Sequence, residues 1–163
     1  MVEIQKTCFV VIDTLRARLV RRRPEDGSYV TIGTLSPTTD DRPGRLDRDQ
    51  SPARTHESVG AARHAIELRL NVRARAQAAF AKEVFVHLKG LMHEGMFETF
   101  VLVAPTRMMG VLLEEMDPEL EAALIGQLPK NLTKVPDHKL RDHLASVSIK
   151  PNARPTNVRA TAQ

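Results

Sequence analysis

The sequence predicts an α/β fold: a single domain in which a mixed β-sheet is flanked by helices. Three observations predict it. The chain opens on three consecutive strand-like runs. After a long aperiodic stretch, helical and strand-like patterns alternate, as they do when helices cover the faces of a sheet. The length, 163 residues with 42% hydrophobic content, suits one domain with a substantial core.

"CFVVID" (8–13) is a short continuous apolar run rich in β-formers, the pattern of a buried strand. "TLRARLVRRR" (14–23) alternates, with Leu15, Ala17 and Leu19 on one face and Arg16 and Arg18 on the other. "PEDGS" (24–28) signals a turn, and "YVTIGTL" (29–35) alternates again, so the second and third strands form a hairpin. From Ser36 to Asn71 no hydrophobic period holds, and the stretch reads as a long Arg-rich loop with one short helical touch at "AARHAIELRL" (61–70). A connection beyond ~12–15 residues is unusual in a compact domain and tends to be functional or disordered.

A long helix is predicted over Val72–Glu94, with Phe80, Val84, Leu88 and Leu91 on one stripe and Gly95 as its stop. "MFETFVLVA" (96–104) ends in an all-apolar run that suits a central strand. A helix follows over Thr106–Met116. Asp117 as N-cap and Pro118 at the first helical position start another over 117–124. A short strand within 125–135, broken at Pro129, and a helix over 136–146 complete the domain, 1–146, and 147–163 reads as a flexible tail. The order β-β-β-loop-α-β-α-α-β-α is that of ribonuclease-H-like α/β sheets.

Composition narrows the function. Aromatics are scarce, with no Trp and Tyr29 alone among Tyr, so stacking platforms for single-stranded nucleic acid are few. The formal charge of +4 and pI near 9.6 permit an acidic partner. Cys8 lies in an apolar run and has no second cysteine to pair with, which fits an inert buried thiol in a reducing compartment. No apolar run approaches the ~20 residues of a membrane span, and no leader pattern is present, so a cytoplasmic protein without membrane contact is expected. No metal or cofactor is expected: His87 and His93, and His138 and His143, miss the i, i+4 spacing of a helical ligand pair.

Four constellations remain. Arg16, Arg18, Arg21, Arg22 and Arg23 would guard the outer face of an edge strand or touch nucleic acid. Asp41, Arg42, Gly44, Arg45, Arg48, Arg54, Gly60 and Arg63 lie in the loop, where guanidinium forks suit RNA phosphates. There, too, Arg63, His64 and Glu67 form the one candidate acid–base group, with Ser58 nearby. Thr106 and Arg107 stand where a strand ends and a helix begins, a common ligand position in α/β sheets.

Several pieces in order resemble the bacterial host attachment protein family: "ARLV" (17–20), "DRPGR" (41–45), "GAARHAIE" (60–67), "FAKEV" (80–84), "LVAPTRMMGVL" (102–112) and "NLTKVP" (131–136). That family is distantly similar to the middle domain of archaeal and eukaryotic peptide-chain release factors and of Pelota. The resemblance implies a release-factor-middle-domain-like fold and a ribosome or structured RNA as partner. In release factors a loop at the place of residues 36–71 carries a Gly-Gly-Gln tip. This chain offers Gly60-Ala61-Ala62-Arg63-His64 instead, so a binding protein is the leading expectation. The alternatives are a hydrolase of peptidyl-tRNA ester or phosphodiester built on His64, Arg63 and Glu67, and a protein-interaction module, with a homodimer possible through a sheet edge.

Overall fold

The computed structural model describes residues 4–38 and 59–150. A 3-10 turn over Ile4–Lys6 leads into β1 (Thr7–Ile12), β2 (Ala17–Arg22) and β3 (Tyr29–Leu35). Then come α1 (Val59–His93), β4 (Thr99–Val103), α2 (Thr106–Glu114), α3 (Pro118–Ala123), β5 (Leu124–Leu128) and α4 (Asp137–Leu144). The five strands form one mixed sheet in the order β3-β2-β1-β4-β5. β2 runs antiparallel to β1 and β3, whereas β4 runs parallel to β1 and β5. The expected element order and the mixed sheet flanked by helices are therefore observed.

The strand period of two divides the core. Cys8, Val10 and Ile12 face α1, α2 and α3, packing with Leu19, Val84, Leu88, Phe100, Leu102, Met108 and Leu112. Phe9 and Val11 face the other way, with Val20, Val101, Val103, Ile125, Leu140 and Leu144 against α4. β1 and β4 are buried along their whole length, which explains why both read as unbroken apolar runs. Burial pushes the Cys8 thiol up to about 12, against a smaller opposing hydrogen bond with the Val20 backbone, so it is an inert core residue.

The helix ends obey local chemistry. The Asp117 side chain accepts from the Leu120 amide at 3.0 Å and Pro118 opens α3, as the sequence predicts. Gly95, at φ 81°, closes the end of α1 in a conformation that other residues adopt only with strain. Lys89 bridges Asp117 and Glu119, and His93 Nε2 lies 2.6 Å from Glu119 Oε1, so the C-terminal half of α1 is pinned to α3.

Three sequence expectations are corrected. α1 begins at Val59, not Val72, so the second part of the expected 36–71 loop is helix. Between Gly60 and Gly90 no Gly or Pro interrupts a run dominated by Ala, Leu, Arg and Glu, and their helix propensity prevails even over 61–75, where every residue is exposed. β2 is not an edge strand: it lies between β1 and β3, and β3 and β5 form the edges. Finally, the chain stays packed past residue 146. Val147 and Ile149 join the α4-side core, and the Lys150 amide donates to the Ile125 carbonyl at 2.7 Å. A Cβ at Gly126 would stand 3.1 Å from both the Ser148 oxygen and a Val147 methyl, so its bare backbone admits this segment. The remainder of the expected tail, from residue 151, lies outside the described residues.

Candidate nucleic-acid interface

The polar interior of the fold centres on Arg18. Strand β2 places it on the α4 side, where it is 9% exposed. Its Nη1 donates to the carbonyls of Leu132, Thr133 and Val135 at 3.1, 3.1 and 2.6 Å. Its Nη2 donates to Asp137 Oδ1 at 2.5 Å and to the Thr31 hydroxyl at 3.1 Å. The Thr31 amide and hydroxyl in turn donate to Asp137 at 2.9 and 2.6 Å. One guanidinium thus holds the loop 131–136 and the first turn of α4 onto the sheet. This is the opposite of the outward-facing role expected for Arg18.

Burial raises the Asp137 carboxyl pKa, but the Thr31 hydrogen bonds and then Arg18 outweigh it, and the net shift is downward. A depressed carboxylate stabilises the fold fully above its unfolded value of about 3.9. That contribution drains away as pH falls through the folded-state value. We expect the urea midpoint to fall on acidification from about pH 5 to pH 3, and to fall less steeply in Asp137→Asn. Equal slopes in the two proteins would remove Asp137 as a source of the acid sensitivity.

This loop lies at the carboxyl ends of the parallel strands. β2 and β3 extend the sheet on one side of β1, and the chain then crosses from β3 through α1 to β4 and β5 on the other side, so the strand order reverses between β1 and β4. Open α/β sheets bind ligands outside the carboxyl ends at such a point. Asp13 follows β1 there. Its Oδ1 accepts the amides of Leu15 and Arg16 at 2.8 and 2.9 Å, and its Oδ2 lies 2.6 Å from the Thr133 hydroxyl. Asn131 Oδ1 stands 2.8 Å from the same hydroxyl. The carboxylate is therefore engaged internally.

The cations at this end are not. Arg16 leaves the β1–β2 turn, Arg107 the first turn of α2, Lys130 the end of β5 and Lys134 the loop held by Arg18. All four are exposed, and none forms an ion pair among the described residues. Thr106 is exposed beside Arg107, and Pro105 caps α2 without a side-chain hydrogen bond, leaving its first amides open to an anion.

α1 reaches beyond the same end. It enters β4 from its C-terminus, at the amino end of that strand, so its N-terminus points past the strand carboxyl ends. The level is marked by Thr38, just beyond β3, which hydrogen-bonds Glu83. Residues 61–75 are all exposed and rise by roughly 22 Å. By sequence this arm carries four arginines, Arg63, Arg69, Arg73 and Arg75, and one acid, Glu67; Arg69 is engaged within the chain.

Of the residues predicted from sequence, Gly60, Arg63, His64 and Glu67 all fall in the first turns of α1. His64 Nδ1 and Glu67 Oε2 are 3.9 Å apart, beyond hydrogen-bond length, with side chains 82% and 67% exposed. Thr106 and Arg107 lie on the body. Asp41, Arg42, Gly44, Arg45, Arg48 and Arg54 lie outside the described residues, as does Ser58. By sequence, residues 39–58 hold four arginines and five acids, so the positive excess belongs to the arm and the strand ends. Lys130 and Lys134 escaped the sequence reading. The signal for them was their place just after an apolar run, which becomes informative only once that run is known to be a parallel strand.

Among the described residues no group of three or more His, Cys, Asp or Glu gathers as a metal site, and no helix is long and apolar enough to cross a membrane. No curated protein matches the chain. A family profile described as "Protein required for attachment to host cells" matches residues 8–144, from β1 to the end of α4. The matched span contains the whole sheet, the Arg18 network and the strand-end cations, and the chain belongs to this host attachment family.

Proposed function

We propose that this protein binds without catalysis to the phosphates of a structured RNA, with the ribosome as the source of that RNA. The observation that carries the reading is the convergence of four exposed cations without ion-pair partners among the described residues, Arg16, Arg107, Lys130 and Lys134, at the strand carboxyl ends. Phosphate contacts from Arg and Lys supply affinity and orientation without reading base sequence. The shortage of aromatic platforms points the same way: Tyr29 is half-buried, edge-on to Phe9 with centroids 5.2 Å apart. Shape and backbone recognition of folded RNA needs no such stacking. The sequence resemblance to the release-factor middle domain adds the ribosome as the natural source.

Sedimentation of cell extract through a density gradient tests this reading. At low salt the chain is expected to travel with ribosomal particles and, at high salt, to return to the top. The variant Arg16→Glu, Arg107→Glu, Lys130→Glu, Lys134→Glu is expected to stay at the top throughout. Wild-type protein that remains at the top at low salt would overturn the proposal.

A further inference from the structure

The arm carries a second signal that RNA does not absorb. Of the large hydrophobic residues exposed among the described residues, Ile66, Leu68, Leu70 and Val72 fall within seven consecutive positions; Leu68 is 65% exposed and Leu70 54%. At 100° per residue, Ile66, Leu70 and Ala74 continue the face that further along turns Ala81, Val84 and Leu88 into the core. The core stripe thus runs off the end of the sheet with nothing beneath it. Leu68 and Val72 take the opposite side of the helix.

We infer that this arm, residues 61–75, is a docking helix for a protein partner whose groove has an apolar floor and an acidic rim. Four exposed apolar side chains in two turns mark an interaction surface rather than ordinary scatter. Phosphates do not cover leucine. A lipid surface takes a helix with one apolar face, whereas this helix is apolar on two sides. A second copy would set Arg63, Arg73 and Arg75 against their own counterparts, whereas an acidic groove pairs with all three while enclosing both apolar sides. The inference uses a different surface from the strand-end cations and stands independently of the RNA reading.

The test places the photo-reactive residue p-benzoylphenylalanine at Leu68 of the full chain, and separately at Val86, an exposed apolar position on the body part of the same helix. Each protein is irradiated in extract of cells that make it. The adduct at Leu68 is identified by mass spectrometry, and the captured protein is purified and titrated calorimetrically with the full chain. We expect one protein adduct at Leu68 and none at Val86. Affinity should fall at least tenfold with Ile66→Asp plus Leu70→Asp, and at least tenfold with Arg73→Glu plus Arg75→Glu. The milder pair Ile66→Ala plus Leu70→Ala should weaken binding with an unchanged circular dichroism spectrum, separating docking from folding. The inference is overturned by an adduct of two copies of this chain, by a nuclease-sensitive adduct, by affinity indifferent to the arginine substitutions, or by no adduct above the Val86 control.

Discussion

Replacing Arg18 by alanine is expected to destabilise the fold by about 3 kcal/mol, visible as a lower urea midpoint and a melting temperature lower by roughly 6–12 °C. The guanidinium is nearly buried and satisfies three carbonyls, a carboxylate and a hydroxyl at once. Truncation leaves those acceptors in a site where water replaces the lost donor only partly, because the loop carbonyls are turned inward. Asp137 keeps its Thr31 bonds and some solvent contact, which holds the cost to the lower end of the range for broken buried pairs. Arg18→Lys should recover only a minor share, since a single ammonium cannot span the carbonyls on one side and Asp137 on the other. Loss of Arg18 also loosens 131–136 and with it Lys134, so on the proposed RNA reading affinity should fall although the Arg18 guanidinium is engaged internally. A variant as stable as wild type would mean that the loop is held by its apolar anchors Leu132 and Val135 alone.

The second large effect concerns α1, through two leucines on one stripe. Leu70 and Leu88 are separated by 18 residues, five turns at 3.6 residues per turn, and share a helical face. Leu88 is fully buried between α1 and the sheet, whereas Leu70 is 54% exposed. Leu88→Ala deletes core volume and should cost ~3 kcal/mol, within the usual span for buried leucines. Leu70→Ala should change stability by no more than about 0.5 kcal/mol in the isolated protein, because no cavity forms and alanine favours the helix. Paired urea titrations check this directly. A comparable loss at both positions would show that the arm is packed against something within the protein itself.

Much of the fold was legible because burial leaves a period. β1 and β4 are covered on both faces and read as solid apolar runs; α3 announced itself through Asp117 and Pro118. The start of α1 was not legible for a physical reason. Residues 61–75 are helical without a core to face, so the amphipathic signal weakens where propensity alone sustains the helix. Arg18 was misread because alternation assigns a charged residue in a strand to solvent by default. Only tertiary structure reveals that Asp137 and three carbonyls, more than a hundred residues away, wait on the other face. The candidate interface was legible in part. Arg107 and Thr106 were visible as a strand-to-helix junction, but Lys130 and Lys134 acquire meaning from the parallel pairing of β4 with β1 and β5, which ends all three strands on the same side.

The most direct test of the proposed RNA-binding surface is the salt dependence of affinity for a labelled duplex RNA hairpin, measured by fluorescence anisotropy between roughly 50 and 200 mM monovalent salt. Four phosphate contacts predict a slope of log K against log salt near −3 to −4, or roughly a hundredfold loss across that range. Each of Arg16→Gln, Arg107→Gln, Lys130→Gln and Lys134→Gln should make the slope shallower by about one. A slope and affinity unchanged by all four substitutions together would contradict the assignment of phosphate contacts to the strand carboxyl ends.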